Sequence, residues 1–291
     1  MKIFRYDTSG RWLKGNTHIH STASDGGKTF PEIAELYSAA GYDFLFRTDH
    51  WAASDCAGDG ADYPLLWLDG IEIDGQDQTG SSFHTVCLGR VAGIRKEEGF
   101  EAGLASARRQ GAVLIAAHPF WMGNSFEDCL RWDFDGVEVY NHVCRWLNGK
   151  SGALPHWNAM LGKNPNTLAF SADDAHLSEN HPGWNGGWIM VNAKHCAAEG
   201  IMESIRRGNF YSSCGPVIES ISMEQNVLRL KTSPVQFARL AGSGSRGSRL
   251  GSFGGDRMTE INFEIPSDWE YAYVEIEDEN GLRAWTNGLF A

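Results

Sequence analysis

Long apolar runs are missing from this sequence. No stretch approaches the roughly 18 consecutive apolar residues that a transmembrane helix needs. The first residues, Met1 to Asp7, contain no apolar segment of signal-peptide length. We therefore expect no membrane association and a cytoplasmic location.

Cysteine pairs and an excess of basic charge are also missing. The six cysteines form no C-x-x-C pair, so the sequence signals neither a zinc knuckle nor a redox dithiol. We expect them to be reduced and mostly buried. With 25 Lys and Arg against 37 Asp and Glu, the formal net charge of −12 argues against nonspecific binding to long nucleic acids or anionic membranes.

Familiar nucleophile and nucleotide motifs are missing as well. We find no G-x-S-x-G elbow and no Walker loop, so neither acyl-enzyme chemistry nor nucleoside-triphosphate binding is supported. What is present is a globular composition, with 42% hydrophobic residues, 11 Trp and 15 Phe in 291 residues. That length permits one large α/β domain with a smaller companion.

Strand and helix signals alternate over about the first two thirds of the chain. The run Ala112 to Ala117 is apolar throughout, as in a buried parallel strand. Earlier in the chain, Thr29 is a plausible N-terminal cap for the helix that begins after it. Repeated strand, helix and strand signals predict a parallel sheet that closes or nearly closes into a barrel.

Ligand-type side chains collect where these strands finish. His18 and His20 are two residues apart, so in an extended strand both point to the same face and could hold one ion, although two exposed imidazoles at a strand end would look the same. In such barrels the functional face is built from the carboxyl ends of the strands. Nine side chains are expected at this rim: His18, His20, Asp25, His50, Glu72, His84, His118, Asp174 and His176. So many polar groups crowded together require cations.

The same residues carry a family resemblance. The segments His18-Ile19-His20, Ser24-Asp25-Gly26, Thr48-Asp49-His50, Gly70-Ile71-Glu72, Phe83-His84-Thr85, Ala117-His118-Pro119 and Asp174-Ala175-His176 resemble, in that order, the motifs of PHP (polymerase and histidinol phosphatase) domains. The resemblance covers roughly residues 13 to 215. It implies a distorted seven-stranded (β/α) barrel with two or three divalent metal ions (Mn, Fe or Zn) that hydrolyses phosphoesters.

The resemblance also implies which residues hold which ion. His18, His20, Glu72 and Asp174 would hold the first metal. Glu72 would bridge to a second metal, completed by His84 and His118. Asp25, His50 and His176 would hold a third; Asp25 stands where some family members have histidine. Glu72, Asp174 and His176 are the catalytic candidates, acting with a hydroxide that bridges the metals.

Three residues outside the ligand set are candidates for supporting roles. Arg145 could clamp a substrate phosphate, or it could be an ordinary surface arginine. Asp49 and Asp173 precede ligands, and we expect them to orient imidazoles.

The pattern changes after residue 216. From Val217 onward the sequence alternates with period two, which predicts antiparallel strands and a small β-sandwich appendage over residues 217–291, following a barrel over residues 1–216. The sequence as a whole predicts a metal-dependent phosphoesterase acting on a small phosphorylated substrate. The alternatives are an exonuclease or oligonucleotide phosphatase acting on short oligonucleotides, and a non-catalytic metal-binding module.

Overall fold

The computed structural model describes residues 3–251 and 253–291. Its strands are β1 (Arg11–Asn16), β2 (Phe44–Arg47), β3 (Leu66–Gln76), β4 (Ser82–Leu88), β5 (Val113–Ala116), β6 (Gly136–Asn141), β7 (Leu168–Ala172), β8 (Trp188–Ala193), β9 (Phe210–Ser213), β10 (Ile218–Glu224), β11 (Val227–Val235), β12 (Phe237–Gly242), β13 (Gly247–Gly251), β14 (Met258–Glu264), β15 (Ala272–Glu277) and β16 (Arg283–Thr286). Its α-helices are α1 (Phe30–Ala39), α2 (Phe100–Arg109), α3 (Pro119–Met122), α4 (Phe126–Arg131), α5 (His142–Asn148), α6 (Leu154–Lys163) and α7 (Ala198–Arg207). No helix in these ranges is long and apolar enough to cross a bilayer.

Local sequence explains where α1 begins and ends. The backbone N–H and the hydroxyl of Thr29 both donate to the Glu32 carboxylate, at 2.8 and 2.7 Å, which fixes the first turn. Gly41 follows the helix with φ of 79°, a left-handed conformation that glycine adopts without steric cost. The predicted cap is therefore found at Thr29.

The first seven strands lie side by side in chain order, and their directions correct one expectation. β1, β2 and β3 are parallel, and so are β5, β6 and β7. β4 runs antiparallel to both β3 and β5. Only residues 77–81 connect β3 to β4, and so short a connection can return only antiparallel, whereas a parallel return needs a longer crossover. The strictly parallel sheet predicted from the alternation is therefore wrong at β4.

The two ends of this seven-strand series approach each other at the functional rim. Just beyond β1 and β7, Ile19 forms an isolated parallel bridge with Ala175, and the His20 N–H donates to the Ala175 carbonyl at 2.9 Å. On its other edge β1 pairs antiparallel with β8, which pairs with β9. The mixed α/β class is confirmed, while a closed seven-stranded barrel stays a prediction.

Side-chain alternation along the strands defines two faces. Ile71, Ile73, Val137 and Val139 belong to one buried cluster with α2 and α6, so they face the helices. The intervening positions face the opposite side, where Leu68, Val86, Leu88 and Phe170 form a second cluster. Glu72, His84 and Glu138 occupy this second face because they alternate with the helix-facing residues.

The strands after residue 216 form two antiparallel layers. β10, β11 and β14 make a separate three-stranded sheet. β12, β13, β15 and β16 pair with one another, and β16 also pairs with β9 of the main sheet. A shared apolar cluster, including Ile221, Leu230, Leu240, Phe263 and Val274, lies between the layers. One layer thus continues the main sheet, and a separate β domain over 217–291 stays a prediction.

Candidate metal centre

All nine predicted ligand residues converge on one side of the sheet. His18 and His20 follow β1, Asp25 lies in the next loop, and His50 follows β2. His118 follows β5, and Asp174 and His176 follow β7. Glu72 lies within β3 rather than after it, and His84 lies near the start of the antiparallel β4. Each of the nine has a nitrogen or oxygen within 4 Å of another member.

Four donor atoms form the tightest group. His18 Nε2 lies 3.2 Å from Glu72 Oε2 and 3.3 Å from Asp174 Oδ1, and His20 Nε2 lies 3.2 Å from each of the same two oxygens. For metal–ligand bonds of about 2.1 Å, neighbouring ligands in tetrahedral or octahedral geometry are about 3.0 to 3.4 Å apart. The spacing therefore fits one shared divalent ion.

Hydrogen bonding leads to the same conclusion about this group. Over the described ranges, His18 Nε2, His20 Nε2 and Glu72 Oε2 are buried and have no hydrogen-bond partner. Buried polar atoms in folded proteins are almost always satisfied. The residues present thus fit a cation, which would supply the missing partner for all three atoms.

Glu72 faces two groups at once. Its Oε2 contacts His18 and His20, while its Oε1 lies 2.9 Å from His84 Nδ1 and 3.7 Å from His118 Nε2. This is the placement required of a carboxylate that bridges two cations. Donor atoms within 4.8 Å of one another join Glu72 with His50 and His84, and Glu72 with His18 and His118, so the grouping of Glu72, His84 and His118 around one metal stays a prediction.

The predicted third group surrounds Asp25. Its Oδ2 lies 3.3 Å from His176 Nε2 and 3.9 Å from His50 Nε2, and its Oδ1 lies 3.5 Å from His20 Nδ1. Asp25, His20, His50 and His176 offer donor atoms that all lie within 4.8 Å of one another. The structure brings the predicted third group together, and the metal-binding roles of all nine residues stay predictions.

The electrostatics of the cluster favour ionised carboxylates. Burial alone would raise the pKa of Glu72, but the adjoining His18, His118 and His20 hold it well below the ordinary carboxyl range. Burial would likewise lower the pKa of His20, yet the adjacent carboxylates of Asp174 and Glu72 raise it to about 9. The neighbouring His176 imidazole lowers the pKa of Asp25. The carboxylates are thus held in the charged form that binds cations.

Backbone strain is concentrated at the same rim. His118 has φ of 31°, Asp174 has φ of 56°, and Trp51, next to His50, has φ of 54°. Left-handed conformations at non-glycine residues cost on the order of 1–3 kcal/mol each and cluster at functional sites. The fold maintains these three turns, and two of them orient predicted ligands.

One functional residue was not selected from the sequence. Glu138 is buried in β6, and its Oε1 lies 2.7 Å from His18 Nδ1. Its Oε2 accepts hydrogen bonds from the backbone N–H of His118 and from Asn141 Nδ2, both at 2.9 Å. The carboxylate thus orients one predicted ligand by its ring and another by its backbone. Its alternation with Val137 and Val139 was the available signal, because it places a lone carboxylate on the face that carries Glu72.

The supporting roles expected of two aspartates are wrong. Asp49 accepts hydrogen bonds from the Ser21 N–H and from the Ser21 and Ser24 hydroxyls, so it holds the loop that carries Asp25. Asp173 accepts from Asn16, Tyr37 and three backbone N–H groups of residues 185–187. Both carboxylates fix backbone segments rather than imidazoles. Asp74 instead contacts a ligand ring, at 3.1 Å from His50 Nδ1.

A cavity of about 200 Å³ lies over the cluster, and Arg145 does not line it. Besides predicted ligands, its walls are Trp121, Val143, Cys144, Leu147 and His181. Arg145 is exposed on α5 and lines two neighbouring cavities with His142 and with Tyr140. Its predicted contact with a substrate phosphate stays a prediction.

The fold of this chain is similar to that of a PHP-like α/β protein. It matches a crystal structure from Bacteroides vulgatus, described as a two-domain protein containing a predicted PHP-like metal-dependent phosphoesterase, with a TM-score of 0.54 at 17% identity over 98% of this chain and 97% of the other. A Bifidobacterium adolescentis structure, described as a metal-dependent phosphoesterase by prediction, is matched more weakly, with a TM-score of 0.45 at 15% identity over 66% of this chain and 96% of the other. No protein-family model matches the chain, and no curated protein matches its sequence. The resemblance to PHP proteins is thus confirmed at the level of the fold.

Proposed function

We propose that this protein is a PHP-type metal-dependent phosphoesterase that hydrolyses a small phosphorylated substrate. The observation that carries the proposal is the set of four donor atoms from His18, His20, Glu72 and Asp174, spaced 3.2 to 3.3 Å apart across imidazole–carboxylate pairs. Imidazole with carboxylate suits Mn, Fe and Zn alike. Bound divalent ions would supply positive charge for phosphoryl oxygens and an activated water.

The chain's own residues prepare this site for cations. Glu72 presents one oxygen to each of two ligand groups, which sets the separation of the positive charges. His176 Nδ1 lies 2.9 Å from the Asp174 backbone carbonyl, and since a carbonyl only accepts, that nitrogen donates and carries the proton. His176 Nε2 is then the free acceptor facing Asp25, as a ligand atom must be.

The test has two independent measurements. We expect purified protein reconstituted with Mn, Fe or Zn to hold two or three ions per chain by elemental analysis. We expect it to release phosphate from small phosphomonoesters, with nucleoside bisphosphates and short oligonucleotides assayed beside them. His20→Ala should lower both metal content and turnover, whereas the control His195→Ala changes an exposed histidine outside the cluster.

The outcomes separate the alternatives. Faster turnover of oligonucleotides than of monoesters would favour the exonuclease or oligonucleotide phosphatase. Stoichiometric metal without turnover of any phosphoester would favour the non-catalytic module. Less than one metal per chain after reconstitution would overturn the proposal. We also propose a cytoplasmic location, which cell fractionation can check.

A further inference from the structure

The cavity over the cluster has a polar floor and an apolar wall. The floor is made of predicted ligands, including Glu72 and His118, and the wall contains Trp121, Val143 and Leu147. These three come from α3 and α5, the helices that follow the adjacent strands β5 and β6. Anything held at the floor therefore has an apolar surface beside it.

The wall and its rim leave large apolar side chains in water. Leu147 is 39% exposed and Phe120, next to Trp121 on α3, is 45% exposed. Single exposed apolar residues are ordinary. Leu147, however, also lines the cavity, and covering it would be favourable at about 25 cal/mol per Å² of apolar surface.

Trp121 is held against the predicted second group of ligands. Its ring centroid lies 5.2 Å from that of His118 and 6.3 Å from that of His84, both nearly perpendicular. Such edge contacts fix the ring plane. A phosphate held between these imidazoles would place the rest of the molecule close to Trp121.

Apart from the predicted ligands, His181 is the cavity's one basic side chain among the described residues. None of the residues that line it, over residues 3–251 and 253–291, is Lys or Arg. Arg145 and the 61% exposed Trp146 line a cavity with His142 and Gly183 instead. Val143 and Leu147 also offer no hydrogen-bonding groups to the hydroxyls of a polyol.

We propose that this wall is a subsite for an uncharged, planar aromatic group on the alcohol side of the ester. The inference rests on the proposed phosphoesterase function and names its substrate class. In the reaction, water adds to phosphorus, the bond from phosphorus to the ester oxygen breaks, and the aromatic alcohol leaves with a proton beside inorganic phosphate. Trp121 and Leu147 are specificity-determining residues that contact the leaving group.

The kinetic test compares benzyl phosphate with glycerol 3-phosphate, whose leaving groups are both alkyl alcohols. We expect kcat/KM for benzyl phosphate to be at least about tenfold higher with Mn-loaded protein. Leu147→Ser should lower that preference about tenfold, mainly through a higher KM for benzyl phosphate. The control Trp146→Ala removes an apolar side chain from α5 that does not line the cavity. Equal kcat/KM for both esters, or a preference unchanged in Leu147→Ser, would overturn the subsite.

A binding test keeps the subsite falsifiable if no ester is hydrolysed. Benzylphosphonate and methylphosphonate carry the same phosphonate group, and titration calorimetry measures their affinities for Mn-loaded protein. Tighter binding of benzylphosphonate in the wild type, lost in Leu147→Ser, supports the subsite even where the hydrolytic function fails. Equal affinities overturn the subsite even where hydrolysis is observed.

Discussion

Glu138 offers the sharpest test of how the chain prepares its candidate metal centre. Its carboxylate accepts three hydrogen bonds, from His18 Nδ1 through Oε1 and from the His118 N–H and Asn141 through Oε2. The proton on His18 Nδ1 leaves a lone pair on Nε2, the atom that faces Glu72 and Asp174. Glu138→Gln keeps the shape of the side chain and replaces one acceptor oxygen with an NH₂ donor.

Neither orientation of the new amide satisfies all three partners. If the amide oxygen faces His18, its NH₂ group meets two donors, the His118 N–H and the Asn141 amide. If the NH₂ group faces His18, the ring must carry its proton on Nε2, which removes the lone pair needed for a metal. We therefore expect metal affinity to fall by about 10- to 100-fold, or about 1.4 to 2.7 kcal/mol.

The assay is a competition between protein and a fluorescent chelator for Mn or Zn, with the apo-protein melting temperature measured in parallel. Glu275→Gln is a matched control, because Glu275 is also a buried carboxylate with hydrogen bonds from Trp285 and Arg239 but lies on β15. The control should change stability and leave metal affinity intact. Wild-type affinity in Glu138→Gln would refute the reasoning that His18 is oriented through its Nδ1.

The remaining predictions concern four other side chains. Glu72→Gln should lose at least one metal and nearly all hydrolysis, because the amide lacks the charge that two cations share; wild-type turnover would refute the bridge. Asp25→Ala should remove one metal of three by elemental analysis and lower activity by orders of magnitude with the fold intact; unchanged metal content would reduce Asp25 to a turn residue. Arg145→Ala should raise KM with little change in kcat if the arginine contacts substrate, and an unchanged KM would exclude that role. Burial lowers the pKa of Lys14 to about 8 from its ordinary value of 10.5, so the unfolded chain binds more protons between these values. Between pH 7.5 and pH 10, the unfolding free energy of the wild type, measured by urea titration, should therefore rise relative to that of Lys14→Met. The same difference at both pH values would contradict the lowered pKa of Lys14.

The convergence of the nine residues was predictable from the sequence because most of them lie just after a strand. His118 and Asp174 follow the apolar strands β5 and β7, and parallel strands bring their carboxyl ends to one rim. The positions of the strand ends in the sequence therefore predicted which side chains lie close together in the structure. The direction of β4 was harder to predict, because an apolar strand shows the same pattern in either direction. Only the short connection from β3 sets its orientation.

Contacts made by side chains from distant segments could not be predicted in the same way. Asp49 and Asp173 are next to ligands in the chain, but their carboxylates turn away to backbone N–H groups of loops. Glu138 shows the opposite case. No predicted ligand lies near it in sequence, yet its carboxylate contacts the ring of His18, 120 residues away. Adjacency in the chain is a poor guide to which carboxylate an imidazole contacts, because strand alternation sends neighbours to opposite faces.

The pairing of β16 with β9 has a consequence for any attempt to express residues 1–216 alone. Trp285 and Thr286 face Ser212 and Tyr211 across that ladder, and the Asn287 side chain reaches the Ala169 N–H and the Phe210 carbonyl. A chain truncated after residue 216 would present β9 as a bare edge, with unpaired N–H and C=O groups available to another molecule. Such a fragment would be prone to edge-to-edge aggregation, so the segment after residue 216 acts as the built-in cover of that edge.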